Sequence, residues 1–338
     1  MLKAKSKEQE ARSDKRRGPS IRHSLSAARN LVLLLLLALR ALRFDVWHCP
    51  LLWDILYGDE KMIWSRCMLI ALLFLLGLPL YVVFSGEAPL NRDYRSADRS
   101  SAGLAPPPDT TPEAVVQVYA ARALNWRGIF GVHTWIATKA ENATGYMVHQ
   151  VIGWRVYRNL PAVSSAPGIP DGRWFGNEPH LIAELRGEAA ARAIPIILQA
   201  VENYPYPNEY QLWPGPNSNT FTAYIGRQVP ELRMDLPANA IGKDYPINGS
   251  LIDSAPSGTG YQFSMFGLLG LTMAKEEGIE LNLLGLSFGI DFLKPALKLP
   301  IIGRLGVSER QPPSLPATPH AQVEPTNEST KQTTAALK

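Results

Sequence analysis

The chain has 338 residues, 46% of them apolar, with a formal charge of +4. That length allows one sizeable domain, or two small ones, beside a membrane segment. Its two cysteines, Cys49 and Cys67, leave everything after residue 67 without disulfides, thiolate nucleophiles or thiolate metal sites.

Residues 1–60 read as a basic extension in which Lys3, Lys5, Lys7, Arg12 and Lys15 outweigh Glu8, Glu10 and Asp14. Such a composition is expected to stay disordered at its start. A basic tail suits nucleic acid or a membrane surface. Next to a membrane span, the expected contact is anionic lipid, and no nucleic-acid partner is expected. Leu31–Leu39 is apolar but is stopped by Arg40, too soon to span. Phe44–Tyr57 mixes polar and apolar groups around Trp47 and Trp53 and suits the headgroup interface.

The run Cys67–Phe84 carries no charge. At about 1.5 Å per helical residue it crosses most of a hydrocarbon core of roughly 30 Å. It predicts a transmembrane helix over 62–85. Lys61, Arg66 and the basic extension hold its N-terminal side in the cytoplasm. The run exceeds a signal-peptide core and no Ala-x-Ala follows, so an uncleaved anchor is expected. In a rival topology residues 25–42 are a first span and the main domain returns to the cytoplasm. That topology buries an arginine, at roughly 2.5–3.5 kcal/mol.

Residues 86–109, rich in Ser, Arg and Pro, suit a linker. An α+β domain is expected over 110–307, with antiparallel strands and packed helices. Thr111-Pro112-Glu113 predicts a helix start, with Val115, Val116, Val118, Tyr119 and Leu124 on its apolar side. Ile129–Thr138 and Tyr146–Tyr157 read as strands. Gly187–Asn203 reads as a helix kinked at Pro195, and Asn217–Val229 as a second. Gly260–Phe292 reads as a long hairpin turning at Lys275–Gly278, with a bulge near Gly285 where the apolar phase shifts. Residues 308–338, rich in Pro, Thr and Gln, read as a disordered tail.

The sharpest chemical candidate is Asn217-Ser218-Asn219-Thr220-Phe221 at a helix start. A nucleophile there lies in the positive end of the helix dipole, among free backbone N–H groups. Ser218 needs a base, and His133 or His149, on successive strands, can supply it. The plainer reading makes Asn217 and Ser218 a helix cap and His133 a hydrogen-bonded core residue. Gly285-Leu-Ser-Phe-Gly289 matches the nucleophile elbow in letters only. Ser287 falls inside a strand pattern and Pro295 blocks the helix that should follow. Lys243 and Asp244 are a further candidate pair, commonly an exposed turn pair. Trp213 and Tyr210, with Trp174-Phe175-Gly176, could line an apolar groove or simply pack in a core. The histidines lack metal-ligand spacing, and neither metal nor cofactor is expected.

Three segments, Gly131–Thr138, Trp213–Phe221 and Ala240–Tyr245, resemble the bacterial family catalogued as domain of unknown function 3750. The resemblance runs from about the span to the Gly303 region. It implies shared architecture in a bacterial protein; the span and its flanking charges then give the expected location, the bacterial inner membrane with the main domain periplasmic. The order of His133, then His149 or Gln150, then Asn217–Phe221 is also similar to circularly permuted papain-like proteins of the lecithin retinol acyltransferase group. That second resemblance implies a hydrolase or acyl-transfer site with Ser218 as nucleophile and His133 as base, although the pattern has Cys where Ser218 stands. Substrates would be peptidoglycan peptides or lipids. The alternative is a non-catalytic envelope protein that binds through the same cleft, with Asn217, Asn219, Trp213, Lys243 and Asp244 around it.

Overall fold

The computed structural model describes residues 76–306 except 248, together with Ser65, Arg66, Met68, Leu69 and Leu72. The chain divides between Leu76 and Gly77 into two units, and the second carries the fold described below. The basic extension and the tail lie outside the described residues, as do residues 67, 70, 71 and 73–75 of the long apolar run. Among the described residues, no helix is long and apolar enough to cross a membrane. The run ends in α1 (Leu78–Phe84), where Leu80, Tyr81 and Phe84 are exposed.

The architecture is α+β and every strand pairing is antiparallel. The first layer is a five-stranded sheet ordered β4-β3-β2-β1-β5. Its strands are β1 (Val115–Arg122), β2 (Val132–Lys139), β3 (Tyr146–Val151), β4 (Val163–Gly168) and β5 (His180–Arg186). Short helices α2 (Trp126–Phe130) and α3 (Gly153–Val156) interrupt the connections. One face packs under α4 (Gly187–Glu202) and α5 (Ser218–Gln228), burying Val116, Val118, Ile136, Ile197, Phe221 and Ile225. The opposite face buries Val115, Tyr119, Trp135, Ala137 and Tyr146.

The helix expected from Thr111 is instead the strand β1. It lies between β2 and β5 and is buried on both faces. A strand covered on both sides loses its polar alternation and reads as a continuous apolar run, which periodicity alone does not separate from a helix. Its β-branched valines decide for strand. The expected linker also has structure. Asp171, itself buried, accepts hydrogen bonds from Ser101 Oγ (2.8 Å), Leu104 N (2.6 Å) and Ala105 N (3.2 Å), so residues 101–105 are fastened to the domain.

The second layer is a seven-stranded meander ordered β12-β11-β10-β9-β8-β7-β6. It comprises β6 (Ile252–Ser254), β7 (Gly260–Met265), β8 (Leu269–Ala274), β9 (Gly278–Leu283), β10 (Leu286–Asp291), β11 (Ala296–Leu299) and β12 (Gly303–Gly306). The expected single hairpin is therefore four strands with three turns. The phase shift near Gly285 is a two-residue turn, not a bulge. Leu284 (φ +55°) and Gly285 (φ +79°) join paired Leu283 and Leu286, and two positive φ values are what a type I′ hairpin turn requires.

The meander inverts the usual polarity. Its inward side chains are Gln262, Ser264, Thr272, Glu280, Asn282, Ser287 and Lys298, all buried. Its outward ones include Tyr261, Phe263, Leu271, Met273, Leu281 and Ile290, each at least 39% exposed. An antiparallel sheet in water normally keeps its apolar face inside.

Candidate functional site

Asn217 caps α5. Its Oδ1 accepts from Asn219 N (2.9 Å) and Thr220 N (3.3 Å), and Thr220 Oγ1 accepts in return from Asn217 N (3.1 Å). This is a capping box, which fills donors that a helix start otherwise leaves open. The same residues tie three segments together. Asn217 Nδ2 donates to Ile241 O (3.0 Å), Asn219 Nδ2 donates to Ile241 O (2.8 Å) and Val132 O (3.1 Å), and Thr220 Oγ1 donates to Gly242 O (2.7 Å). Gly242 sits at φ +97°, and a Cβ there would come within 2.4 Å of Asn217 Nδ2. Only glycine fits so close a backbone approach.

Ser218 and His133 are not brought together. Thr134 is the β2 side chain that meets α5, through Ser218 O (3.3 Å), Asn219 Oδ1 (3.0 Å) and Thr222 Oγ1 (2.9 Å). Successive strand side chains point to opposite faces, so the neighbouring His133 points away from the helix. Its ring stacks on Trp174, with centroids 3.7 Å apart, and its Nε2 donates to Gln150 Oε1 at 2.9 Å. Trp135 and Trp154 extend this stack. Burial lowers the His133 pKa to about 4, against the small opposing effect of the Gln150 bond. The imidazole is neutral near pH 7 but has no nucleophile to serve.

His149 lies on the other face of the sheet, opposite Ile136. Both its nitrogens are occupied, by Thr138 Oγ1 (2.9 Å) and Ser165 Oγ (2.6 Å). Burial holds its pKa at about 4. Trp213 joins none of these groups. Half-exposed, it donates from Nε1 to Leu284 O in a turn of the meander (2.9 Å). Trp174 and Phe175 instead pack with Trp154.

Lys243 and Asp244 are a buried pair, not the exposed turn pair that composition suggests. Lys243 Nζ bonds Glu280, whose other oxygen accepts from Lys298 Nζ at 2.9 Å. Lys298 also donates to Asp235 Oδ1 (2.6 Å) and Glu277 O (2.8 Å). Asp244 accepts from Gln262 Nε2, Asn282 Nδ2 (2.8 Å) and Ser287 Oγ (3.0 Å). Burial works against the Lys243 charge, yet Asp244 and Glu280 outweigh it and raise its pKa. Burial likewise opposes the Glu280 charge, and Lys243 and Lys298 overcome it, leaving the pKa lowered. Each charge here has a partner, so the network reads as the glue between meander and domain. Sequence reasoning could not find it, because its members are scattered from Asp235 to Lys298.

A cleft of about 1230 Å³ opens beside β5 and β12. Basic side chains, Arg92, Arg122, Arg233 and Arg304 among them, outnumber acidic ones along its walls. Arg122 is fixed by Glu87 (2.6 Å) and by Ile301 O (2.7 Å). His180, on β5, has its pKa lowered to about 4 by burial and by the Arg122 charge. Asn239 Oδ1, buried at the cleft wall, has no hydrogen-bond partner. Among the described residues, no group of three His, Cys, Asp or Glu side chains could hold a metal ion.

The capping helix, the Thr134 contact and the Lys243–Asp244 loop all fall in one stretch of sequence. A family model described as protein of unknown function (DUF3750) matches residues 113–245. The DUF3750 match takes in β1 to β5, α4, α5 and the loop to Tyr245, and stops before the meander. It is narrower than the expected resemblance, which extends to the Gly303 region. No curated protein and no solved structure matches the chain.

Proposed function

We propose that the chain is a membrane-anchored protein of the bacterial envelope that binds an anionic ligand in the basic cleft and carries no acyl-transfer chemistry at Ser218. The observation that carries this reading is the pleat of β2. Thr134 meets the α5 start while His133 turns into the aromatic stack. A serine hydroxyl without a base in reach is a poor nucleophile. The cleft, by contrast, combines size with an excess of basic side chains. Pockets of several hundred Å³ with a few convergent polar groups are the usual form of ligand sites. The anchor is the run Cys67–Phe84, and the ligands in keeping with that location are anionic lipid headgroups and peptidoglycan stem peptides.

Calorimetric titration of the full chain in detergent, with short-chain phosphatidylglycerol and with anionic stem peptides, tests the proposal. One of them should bind saturably. The affinity should fall with added salt and drop about tenfold in Arg233→Gln, the loss of one charge-assisted contact. Arg233 is two-thirds exposed, so its removal spares the core. Absence of saturable binding overturns the proposal. So does hydrolysis of an ester or amide substrate that Ser218→Ala abolishes.

A further inference from the structure

The outward face of the meander is the largest feature that the cleft and the capping helix leave unexplained. Across β7 to β11, every outward position carries an aliphatic, aromatic or methionine side chain. Five strands of up to six residues, at about 3.3 Å per residue and some 4.8 Å apart, make this face roughly 24 by 20 Å. That lies among the larger apolar patches a monomer exposes to water, about 300–600 Å² and often functional.

The two ends of the sheet differ. At one end the turns are apolar. Phe266 and Leu284 both sit at φ +55° and are 67% and 66% exposed. A residue there is strained unless it is glycine or asparagine, so strain is accepted to hold an apolar side chain outward. Half-exposed Trp213 is bonded to the Leu284 turn. The third turn at this end carries Ile301, which packs against Leu78 and Val82 of α1. α1, the described end of the long apolar run, therefore packs at this same end. At the opposite end Lys275, Glu276 and Lys294 occupy the turns. Phe292 and Leu293 continue the apolar face beside Lys294.

We infer that the outer face of the meander and its Phe266 and Leu284 turns lie in the hydrocarbon of a lipid bilayer, with Trp213 at the interface. The inference rests on the membrane placement proposed above and adds a second attachment to it. A second copy of the chain, packed face to face, would cover the sheet but leave the strained apolar turns in water. A protein partner would normally meet about one hydrogen-bonding group per 100–200 Å², and here Tyr261 alone offers one. Lipid needs none. Neighbouring strands satisfy the backbone groups within the sheet, as hydrocarbon demands. The open edges are the three-residue β6 and the four-residue β12. With the sheet lying flat, these edges remain at headgroup level. A tryptophan at the apolar corner fits the interfacial belt.

The full chain, with Cys49→Ser and Cys67→Ser, is reconstituted in phosphatidylethanolamine–phosphatidylglycerol vesicles. A polarity-sensitive fluorophore is attached at Leu271→Cys, Leu281→Cys or, as a control, Lys275→Cys. The labels on Leu271→Cys and Leu281→Cys should emit to the blue, lose intensity to doxyl groups on acyl chains and resist iodide. The label on Lys275→Cys should do the reverse. Should the cysteine variants misfold, photo-cross-linking from the terminal carbon of acyl chains in the unaltered chain should label peptides of β7–β10. Iodide quenching at Leu271→Cys and Leu281→Cys in a chain that still co-floats with vesicles sinks the sheet inference and spares the anchor. Shielding from both quenchers with energy transfer between copies assigns the face to a dimer. Shielding with cross-links to residues 31–39 assigns it to the chain's own extension. A chain that does not co-float overturns both anchor and sheet contact.

Discussion

Removing Lys243 should be among the most damaging single changes in the domain. Its side chain is 2% exposed and bonds Glu280, itself 3% exposed. Lys243→Ala leaves one Glu280 oxygen without its cation, while Lys298 still holds the other at 2.9 Å. Asp244 also loses a cation 3.6 Å away. Breaking a buried pair by deleting one partner typically costs about 3–5 kcal/mol, because the remaining charge is uncompensated. In a domain of this size that lowers the melting temperature by roughly 6–20 °C. The exposed pair Glu188–Arg192, 3.7 Å apart, is the internal control. Glu188→Ala should cost under about 1 kcal/mol. Lys243→Met combined with Glu280→Leu should not recover the loss, because it takes Glu280 from Lys298 and still leaves Asp244 without its cation. Thermal melts followed by near-ultraviolet circular dichroism in detergent read all four proteins. A Lys243→Ala protein that melts with Glu188→Ala would refute the buried-network reading.

Two further outcomes follow from the site. Asn217→Ala removes a cap and two carbonyl contacts and should cost about 2 kcal/mol, against under about 1 kcal/mol for Ser218→Ala; equal losses in thermal melts would contradict the capping role. His133 and His149 are held neutral, each lowered from about 6.5 to about 4. A group with a depressed folded pKa that must charge on unfolding stabilises above about pH 6.5, and the gain is lost as pH falls toward 4, by up to about 3 kcal/mol per histidine. Asp235, raised to about 6 by burial, titrates in the opposite sense and softens the fall. Denaturant midpoints between pH 7 and 4 should therefore decline, His133→Gln should flatten the decline, and a pH-independent midpoint would remove the buried-imidazole account.

Local patterns with their own punctuation were readable from sequence. Asn217 ahead of an amphipathic stretch marked α5, and Gly187 to Asn203 marked α4 around Pro195. β2 was legible as a strand, starting at Val132 where Ile129 was expected, and β3 likewise, although it ends at Val151 and the expected remainder to Tyr157 holds α3. β1 was not, because it is buried on both sides and so lacks the alternation that identifies a strand. The site failed at one point of physics. Sequence order set His133 before Ser218 in a suggestive arrangement, but strand parity decides which face a side chain serves. Thr134, one residue on, took the helix contact. Nothing in the sequence fixes that parity until the packing on both faces is known.

The meander carries the same lesson with a larger consequence. Its period of two was visible, and periodicity correctly indicated strands. Periodicity does not say which phase is buried. The ordinary assumption is that Leu281 and Leu283 face a core and Glu280 and Asn282 face water. Here the reverse holds, because Asp235, Lys243 and Asp244 supply the inner layer with partners of matching charge and hydrogen-bonding capacity. With Glu280 turned inward and paired on both oxygens, the register is fixed: a slip by one residue would put Leu281 against Lys243 and strand two charges. The polar network therefore does more than join two layers. It forces the apolar phase outward, and an outward apolar face of this size favours a cover that removes it from water. On this reasoning the buried charges near Glu280 and the lipid contact proposed at Leu281 are two sides of one constraint, so if that proposal holds, loosening the network should also weaken vesicle binding.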